Sequence, residues 1–403
     1  MARAHKLYVL TILALFAATL LPILALNLIL SSHTLGDTGK EVERASDWQQ
    51  RTRGVTYAPT LSDTGPFKML RLEDRLPDIN TVIFGSSTAL SIRHDMLPPP
   101  MRAFNFAQTG HPLSAAIGEA EWLMGHTSNI RYLVIPMDWA LGFVYQPGNP
   151  TPANLDAGVV RHYVGAIRNS ASLLARMRDA LSYPRIVNLA GIVRKIVQAS
   201  DHLAAFRQYF LQDSSDDYRC ADGTPARDFD TFDRGTCTGF RFDGSATFAN
   251  LEPVSDPQRL ILSATASSSQ YVTNLTRSQG RPNPVLLSHL AALAWQAENR
   301  GGKLLLLMPP LLPGLETAFM RQPQLSAALA RTRQTLRDWA TRQNIVVIDA
   351  GASERFGCSS SEFVDQHHAL SSCYGKIFST FWHQYAPAAD GKIAWPTGGL
   401  YQP

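Results

Sequence analysis

The sequence predicts an α/β fold built on a parallel sheet, and three observations carry that expectation. Five short apolar runs, at residues 79 to 85, 101 to 107, 131 to 137, 303 to 309 and 344 to 349, read as buried strands. Helical patterns stand between them, and strands alternating with helices imply a parallel sheet covered on both faces. The gap between the third and fourth runs is far too long for one crossover, so a large insertion is expected at about residues 140 to 282.

The amino terminus comes first. Arg3 and Lys6 precede residues 7 to 30, which contain no charge. Twenty-four residues at ~1.5 Å each span ~36 Å as a helix, enough for a hydrocarbon core of ~30 Å. A cleaved secretory signal is the other reading, but Leu28-Ile29-Leu30-Ser31-Ser32 is a poor cleavage sequence. Residues 1 to 32 are therefore expected to be an uncleaved single-pass anchor. The basic residues before it hold the amino terminus in the cytoplasm and place the rest outside. Pro22 and Asn27 carry a cost in lipid that a neighbouring helix could relieve.

Residues 33 to 78 are polar, hold Gly36, Gly39, Gly54 and Gly65, and read as a stalk; residues 79 to 403 read as the main domain. Within it, residues 113 to 125 place Leu113, Ile117, Ala120 and Leu123 at helical steps. Residues 284 to 300 carry Leu287, Leu290, Leu293 and Trp295 and stop at Gly301-Gly302. Residues 324 to 343 carry Leu325, Leu329, Leu336 and Trp339 opposite a row of arginines. In the insertion, residues 157 to 211 read as helices. Residues 213 to 250 are rich in Asp, Gly and Thr with interspersed aromatics, and suit either a structural cap or a substrate-binding segment.

The four cysteines, Cys220, Cys237, Cys358 and Cys373, all fall in the exported part. Sequence neighbours would pair as Cys220–Cys237 and Cys358–Cys373, although four cysteines allow three connectivities. Zinc is the competing reading, but there is no Cys-x-x-Cys and an exported chain favours disulfides. Net charge is +4, or +2 with Arg3 and Lys6 set aside, and no basic run or aromatic-basic alternation occurs. Nucleic acid is not an expected partner. No cofactor or metal is expected.

The chemistry is read from two places. A strand runs into Gly85-Ser86-Ser87, where a glycine lets the chain turn at the carboxyl edge of the sheet. About 280 residues later stand Asp365 and His368, three positions apart. Serine is a weak nucleophile until an imidazole takes its proton, and the imidazole needs an acid to fix its tautomer. An Asp-x-x-His loop supplies both groups.

These residues resemble the blocks of the SGNH/GDSL hydrolase superfamily. Within it the likeness is closest to the membrane-anchored bacterial branch, similar to the alginate O-acetylation proteins and the D-alanine transfer protein of teichoic acid synthesis. Val82-Ile83-Phe84-Gly85-Ser86-Ser87 corresponds to the first block and makes Ser87 the nucleophile. Phe104 to Gly110 corresponds to the second, with the Gly110 N–H facing the oxyanion, and Asp365-Gln366-His367-His368 to the last. The resemblance spans roughly residues 79 to 386 and implies a three-layer α/β/α sandwich with a five-stranded parallel sheet.

One position departs from the family pattern. After the third strand, where an asparagine usually helps to bind the oxyanion, this chain has Asp138, and an ionised carboxylate cannot donate a hydrogen bond. Losing one donor from such a hole costs about 2.7–4 kcal/mol in the barrier. Three further histidines and an arginine draw notice. His367 reads as a surface or supporting residue, and His111 as solvent-facing or lining the site. Arg93 and His94 read as substrate contacts or as partners of Asp95. Pro309-Pro310 is given a shape role. The resemblance implies a periplasmic serine esterase or O-acyltransferase acting on acetyl esters of an exported polysaccharide or other acylated glycan. Its expected partners are a multi-spanning membrane acyltransferase or a glycan synthase. The alternative is a non-catalytic glycan- or partner-binding component of an envelope polysaccharide complex.

Overall fold

A computed structural model describes residues 2–33, 40–56, 64–138, 142–145, 155, 177, 181, 183–210, 239–247, 252–385 and 393–403. The chain divides into two compact units. One comprises Met1–Trp48 with His162–Asp217, the other Gln49–Arg161 with Tyr218–Pro403.

The larger unit contains the sheet. Its strands are β1 (Thr81–Ile83), β2 (Ala103–Asn105), β3 (Tyr132–Pro136), β4 (Gly239–Phe240), β5 (Ala246–Thr247), β6 (Lys303–Met308), β7 (Val346–Asp349) and β8 (Gly399–Tyr401). Six of them form one sheet in the order β2-β1-β3-β6-β7-β8, with every neighbouring pair parallel. β4 and β5 make a separate antiparallel pair. All five residues of β3 and all six of β6 are buried. Successive side chains point to opposite faces, so both faces of the sheet are covered.

The five expected strands are all present, but among the described residues the sheet has six. The extra strand, β8, is three half-buried residues beginning with a glycine, and it lacks the apolar run by which the other strands are read. The helices Leu113–His126, Pro284–Asn299 and Pro323–Arg342 follow the expected patterns. Asn283 starts the second by accepting from the N–H groups of Val285 (3.0 Å) and Leu286 (3.4 Å), with Pro284 at the first turn. That helix packs on β6 and on Leu113–His126, while Pro323–Arg342 packs on β7 and β8. Trp295 departs from its expected core position: it is 67% exposed, because the buried face runs through Leu286, Leu290, Leu293 and Ala297.

Within the range read as stalk, the described residues 40–56 and 64–78 are largely helical, which their polarity does not suggest. They contain helices Lys40–Thr52 and Gly65–Arg75, and the second buries Phe67, Met69 and Leu72 together with Lys68 and Arg71. Its buried charges have partners. Lys68 Nζ donates to the backbone oxygen of Asn105 (3.1 Å) and to that of Ala107, and Arg71 Nε donates to Gln49 Oε1 (3.0 Å).

From β1 the chain passes to β2 on one side, then crosses to β3 on the other. The connection therefore reverses direction next to β1, and in open parallel sheets the crevice at such a reversal, beyond the carboxyl ends of the strands, is where ligands bind.

In the smaller unit, helix Ala2–His33 contains a stretch, His5–Ile29, of mean hydropathy 2.6. Among the described residues this is the one helix long and apolar enough to cross a membrane. Asn27 is 2% exposed. Two further helices, Tyr183–Gln198 and His202–Phe210, form a hairpin whose Leu189, Ile192 and Phe210 make a small core with Ile196 and with Ile23 and Leu26 of the long helix. Cys220, Cys237 and most of residues 213 to 250 lie outside the described residues.

Candidate active site

Ser87 is placed by the end of β1. Past the strand, the N–H of Phe84 still donates to Val134 (2.9 Å), while Gly85 O accepts from Gln108 N–H (3.0 Å). Gly85 then turns with φ +138°, a conformation that a side chain would strain. Ser86 is extended, and Ser87 opens the short 3₁₀ turn Ser87–Ala89. Tyr374, fully buried in the closing helix Ser371–Gln384, fixes this turn by donating its hydroxyl to Thr88 O at 2.6 Å.

Asp365 and His368 lie on a tight loop after β7. Val364 N–H donates to His368 O (3.0 Å), and Phe363 bridges Ala369 at the loop base. The Cys358–Cys373 disulfide is formed, with sulfurs 2.07 Å apart, and ties the start of the closing helix to the segment before the loop. The loop that follows β6 also meets it, Leu312 N–H donating to Gln366 O at 3.0 Å.

The loop brings the distant groups together. His368 Nε2 stands 2.7 Å from Ser87 Oγ, across 281 residues of sequence, and His368 Nδ1 stands 2.6 Å from Asp365 Oδ2. The other oxygen, Asp365 Oδ1, accepts from the backbone N–H groups of His367 (2.9 Å) and His368 (2.8 Å). Burial works against an ionised Asp365. The hydrogen bond from His368, the charge of the two imidazoles and the His367 N–H outweigh it, and the carboxyl is held well below its ordinary range. Ser87, Asp365 and His368 are all partly exposed. The arrangement permits a hydroxyl to pass its proton to an imidazole that is held in one tautomer by a carboxylate.

Gly110 sits at a turn beyond β2 with φ +68°, and a side chain there would meet open space. Among the described residues, no protein acceptor takes the backbone N–H of Ser87 or that of Gly110. The buried Lys68, reaching the carbonyls of Asn105 and Ala107, braces the strand end that leads to Gly110. Gly244 closes on the same strand end so tightly that a Cβ would fall 2.2 Å from Asn105 O. Asp138 follows β3, and its charge acts on both Tyr271 and Tyr374.

Several neighbours carry no motif. Tyr271 hydrogen-bonds His367 Nδ1 at 2.6 Å, and the His367 ring lies 4.2 Å from that of His368. Burial, then the charges of Asp138 and Asp365, push the Tyr271 hydroxyl up and keep it protonated. It therefore donates, leaving the His367 proton on Nε2. Burial and the neighbouring His368 draw His367 down to about 4, against the pull of Asp365, so the ring is neutral at physiological pH. Its side chain is 22% exposed and supports the loop rather than facing open solvent. His111 is also not solvent-facing: its side chain is 9% exposed and its Nε2 lies 3.0 Å from Oε2 of the buried Glu119, whose other oxygen accepts from Gln108. Arg93 pairs with Asp95, as one reading of it held, while His94 turns instead to Asp243 at 2.9 Å.

Asp365, His367 and His368 could together offer a metal three ligand atoms within 4.8 Å of one another. Both Nδ1 atoms and both Asp365 oxygens already have partners inside the protein, which fits a hydrogen-bonded loop better than a donor set. No protein-family profile and no curated protein matches the chain.

Proposed function

We propose that the chain is a membrane-anchored serine esterase or O-acyltransferase of the SGNH type. Its folded part lies in the periplasm, tethered to a bacterial inner membrane, and acts on acetyl esters of an exported polysaccharide. The observation that carries this reading is the Ser87–His368–Asp365 relay, with spacings of 2.7 Å and 2.6 Å. The parallel sheet, covered on both faces, with Ser87 after β1, fits the three-layer sandwich of that superfamily.

In this reading Ser87 Oγ attacks the acyl carbonyl carbon as its proton passes to His368 Nε2. The carbonyl oxygen, now negative, accepts from the backbone N–H groups of Ser87 and Gly110. His368 returns the proton to the departing alkoxide oxygen, the ester bond breaks, and the acyl group stays on Ser87. Water then releases it as an acid, or a sugar hydroxyl accepts it as a new ester, with His368 again taking and returning the proton. Asp365 orients His368 throughout. A glycan synthase or a multi-spanning acyltransferase is the partner class such a tethered enzyme would serve.

The test is covalent labelling of the full chain in detergent with a serine-directed fluorophosphonate, alongside aryl acetate turnover. Labelling that is lost in Ser87→Ala, together with lost turnover, supports the reading. A wild-type protein that neither labels nor turns over acetate ester would overturn it. That result, with saturable glycan binding, would point to a non-catalytic glycan-binding component, the reading that Asp138 favours by replacing a hydrogen-bond donor with a carboxylate.

A further inference from the structure

We propose that the hairpin formed by Tyr183–Gln198 and His202–Phe210 is a second membrane contact, lying in the outward-facing interface of the bilayer beside the anchor. The proposal rests on reading Ala2–His33 as that anchor.

The first argument is position. Ile23 and Leu26, which pack against the hairpin core, belong to the last third of the apolar stretch His5–Ile29. Ile23 is ~27 Å along the helix from His5 at ~1.5 Å per residue, so a span that begins near His5 ends its ~30 Å hydrocarbon passage where the hairpin docks. The buried Asn27 falls at the same level, so a polar side chain that lipid would penalise is covered by protein.

The second is the distribution of apolar residues on Tyr183–Gln198. Leu189, Ile192 and Ile196 face the core. Ile186, Ala190, Val193 and Val197 recur at steps of three and four, and so form a separate stripe alongside it. That stripe is exposed, Ile186 by 38%, Val193 by 42% and Val197 by 68%, and Leu203 and Phe206 of the second helix add 61% and 37%. A helix with apolar residues beyond what its own core uses marks an interaction surface. This one is continuous with a helix fit to cross a membrane, which argues that lipid covers it.

Charge agrees. Residues 183 to 210 hold Arg185, Arg194, Lys195 and Arg207 against the single acid Asp201. A basic amphipathic segment binds the headgroup region of anionic bilayers, its apolar face ~5–10 Å deep.

The experiment uses the full chain reconstituted in liposomes of phosphatidylglycerol and phosphatidylethanolamine. An environment-sensitive fluorophore is attached at one of three added cysteines: Leu10→Cys, Val197→Cys or Lys195→Cys. Lipids spin-labelled near the headgroup and aqueous iodide serve as the two quenchers. The expected result is lipid quenching at position 197 several-fold greater than at 195, with iodide showing the reverse, and position 10 shielded from iodide. If position 197 responds to iodide as strongly as 195 while position 10 stays shielded, the hairpin proposal fails and the anchor stands. If positions 10 and 197 both respond to iodide, the anchor reading fails and takes this proposal with it. A label at 197 sensitive to neither quencher would mean that a second copy of the chain covers the stripe, and would equally overturn the proposal.

Discussion

Replacing Asp365 by asparagine should abolish most turnover while leaving the fold intact, for a reason the loop geometry dictates. Asp365 Oδ1 accepts two backbone N–H groups, from His367 and His368. An asparagine must keep its carbonyl oxygen there, because its NH₂ group would otherwise face two donors. The NH₂ is then forced toward His368 Nδ1, at the place where Oδ2 now stands 2.6 Å away. A donor at that point makes Nδ1 the acceptor and puts the imidazole proton on Nε2, so the ring can no longer take the proton of Ser87. The wrong tautomer in a serine–histidine–aspartate relay costs about 10⁴-fold in kcat, or about 5.5 kcal/mol of barrier. Asp365→Ala, which leaves Nδ1 free to bond water, should lose less than Asp365→Asn. The assay is aryl acetate hydrolysis by full-length protein in detergent, with thermal unfolding as the control for fold. Asp365→Asn turning over within tenfold of wild type, with an unchanged melting temperature, would refute the argument.

Three further outcomes are expected. Replacing Cys358 and Cys373 together by serine removes a cross-link that closes a loop of 15 residues; the chain-entropy cost is about 3 kcal/mol, read as a lower urea midpoint, with turnover falling as the Asp365–His368 loop loosens. His367, held down at about 4, stays neutral in the folded protein while its unfolded counterpart takes a proton below ~6.5, so stability rises with pH across that window by on the order of 3 kcal/mol. His367→Gln should flatten that slope in unfolding curves taken from pH 4 to 6.5, and an unchanged slope would assign it to other groups. Tyr374→Phe leaves the buried Thr88 carbonyl without its 2.6 Å donor, at a cost of about 1–3 kcal/mol, with a larger fall in kcat than change in KM because the turn carrying Ser87 is loosened.

Much of the fold is legible in the residues because the strands of a doubly covered sheet must be apolar on both sides. Leu304 to Leu307 can hardly be anything else. The edge strand Gly399–Tyr401 is half-buried and short, so it leaves no such trace. Helix Gly65–Arg75 was hidden for the opposite reason. Its buried face carries Lys68 and Arg71, whose charges read as solvated until the carbonyls of Asn105 and Ala107 and the side chain of Gln49 are brought to them from elsewhere. At the site, the spacing of Asp365 and His368 reports a local loop, and so is visible in one stretch of sequence. Tyr271 lies 96 residues from the histidine it bonds and belongs to no motif, so only the folded chain brings it to notice. Its aromatic character is the one sign it carries in the sequence, and an ordinary core residue shares it.

The separation of 281 positions between the hydroxyl and the imidazole has a consequence for biosynthesis. A ribosome that has released β1 to β3 has made the hydroxyl of Ser87 but not the imidazole that meets it, and the pair forms only once residues 365 to 368 have also emerged. A fragment that stops short of His368 cannot form the Ser87–His368 hydrogen bond. Under the proposed function, products that end before residue 368 are silent toward acyl groups.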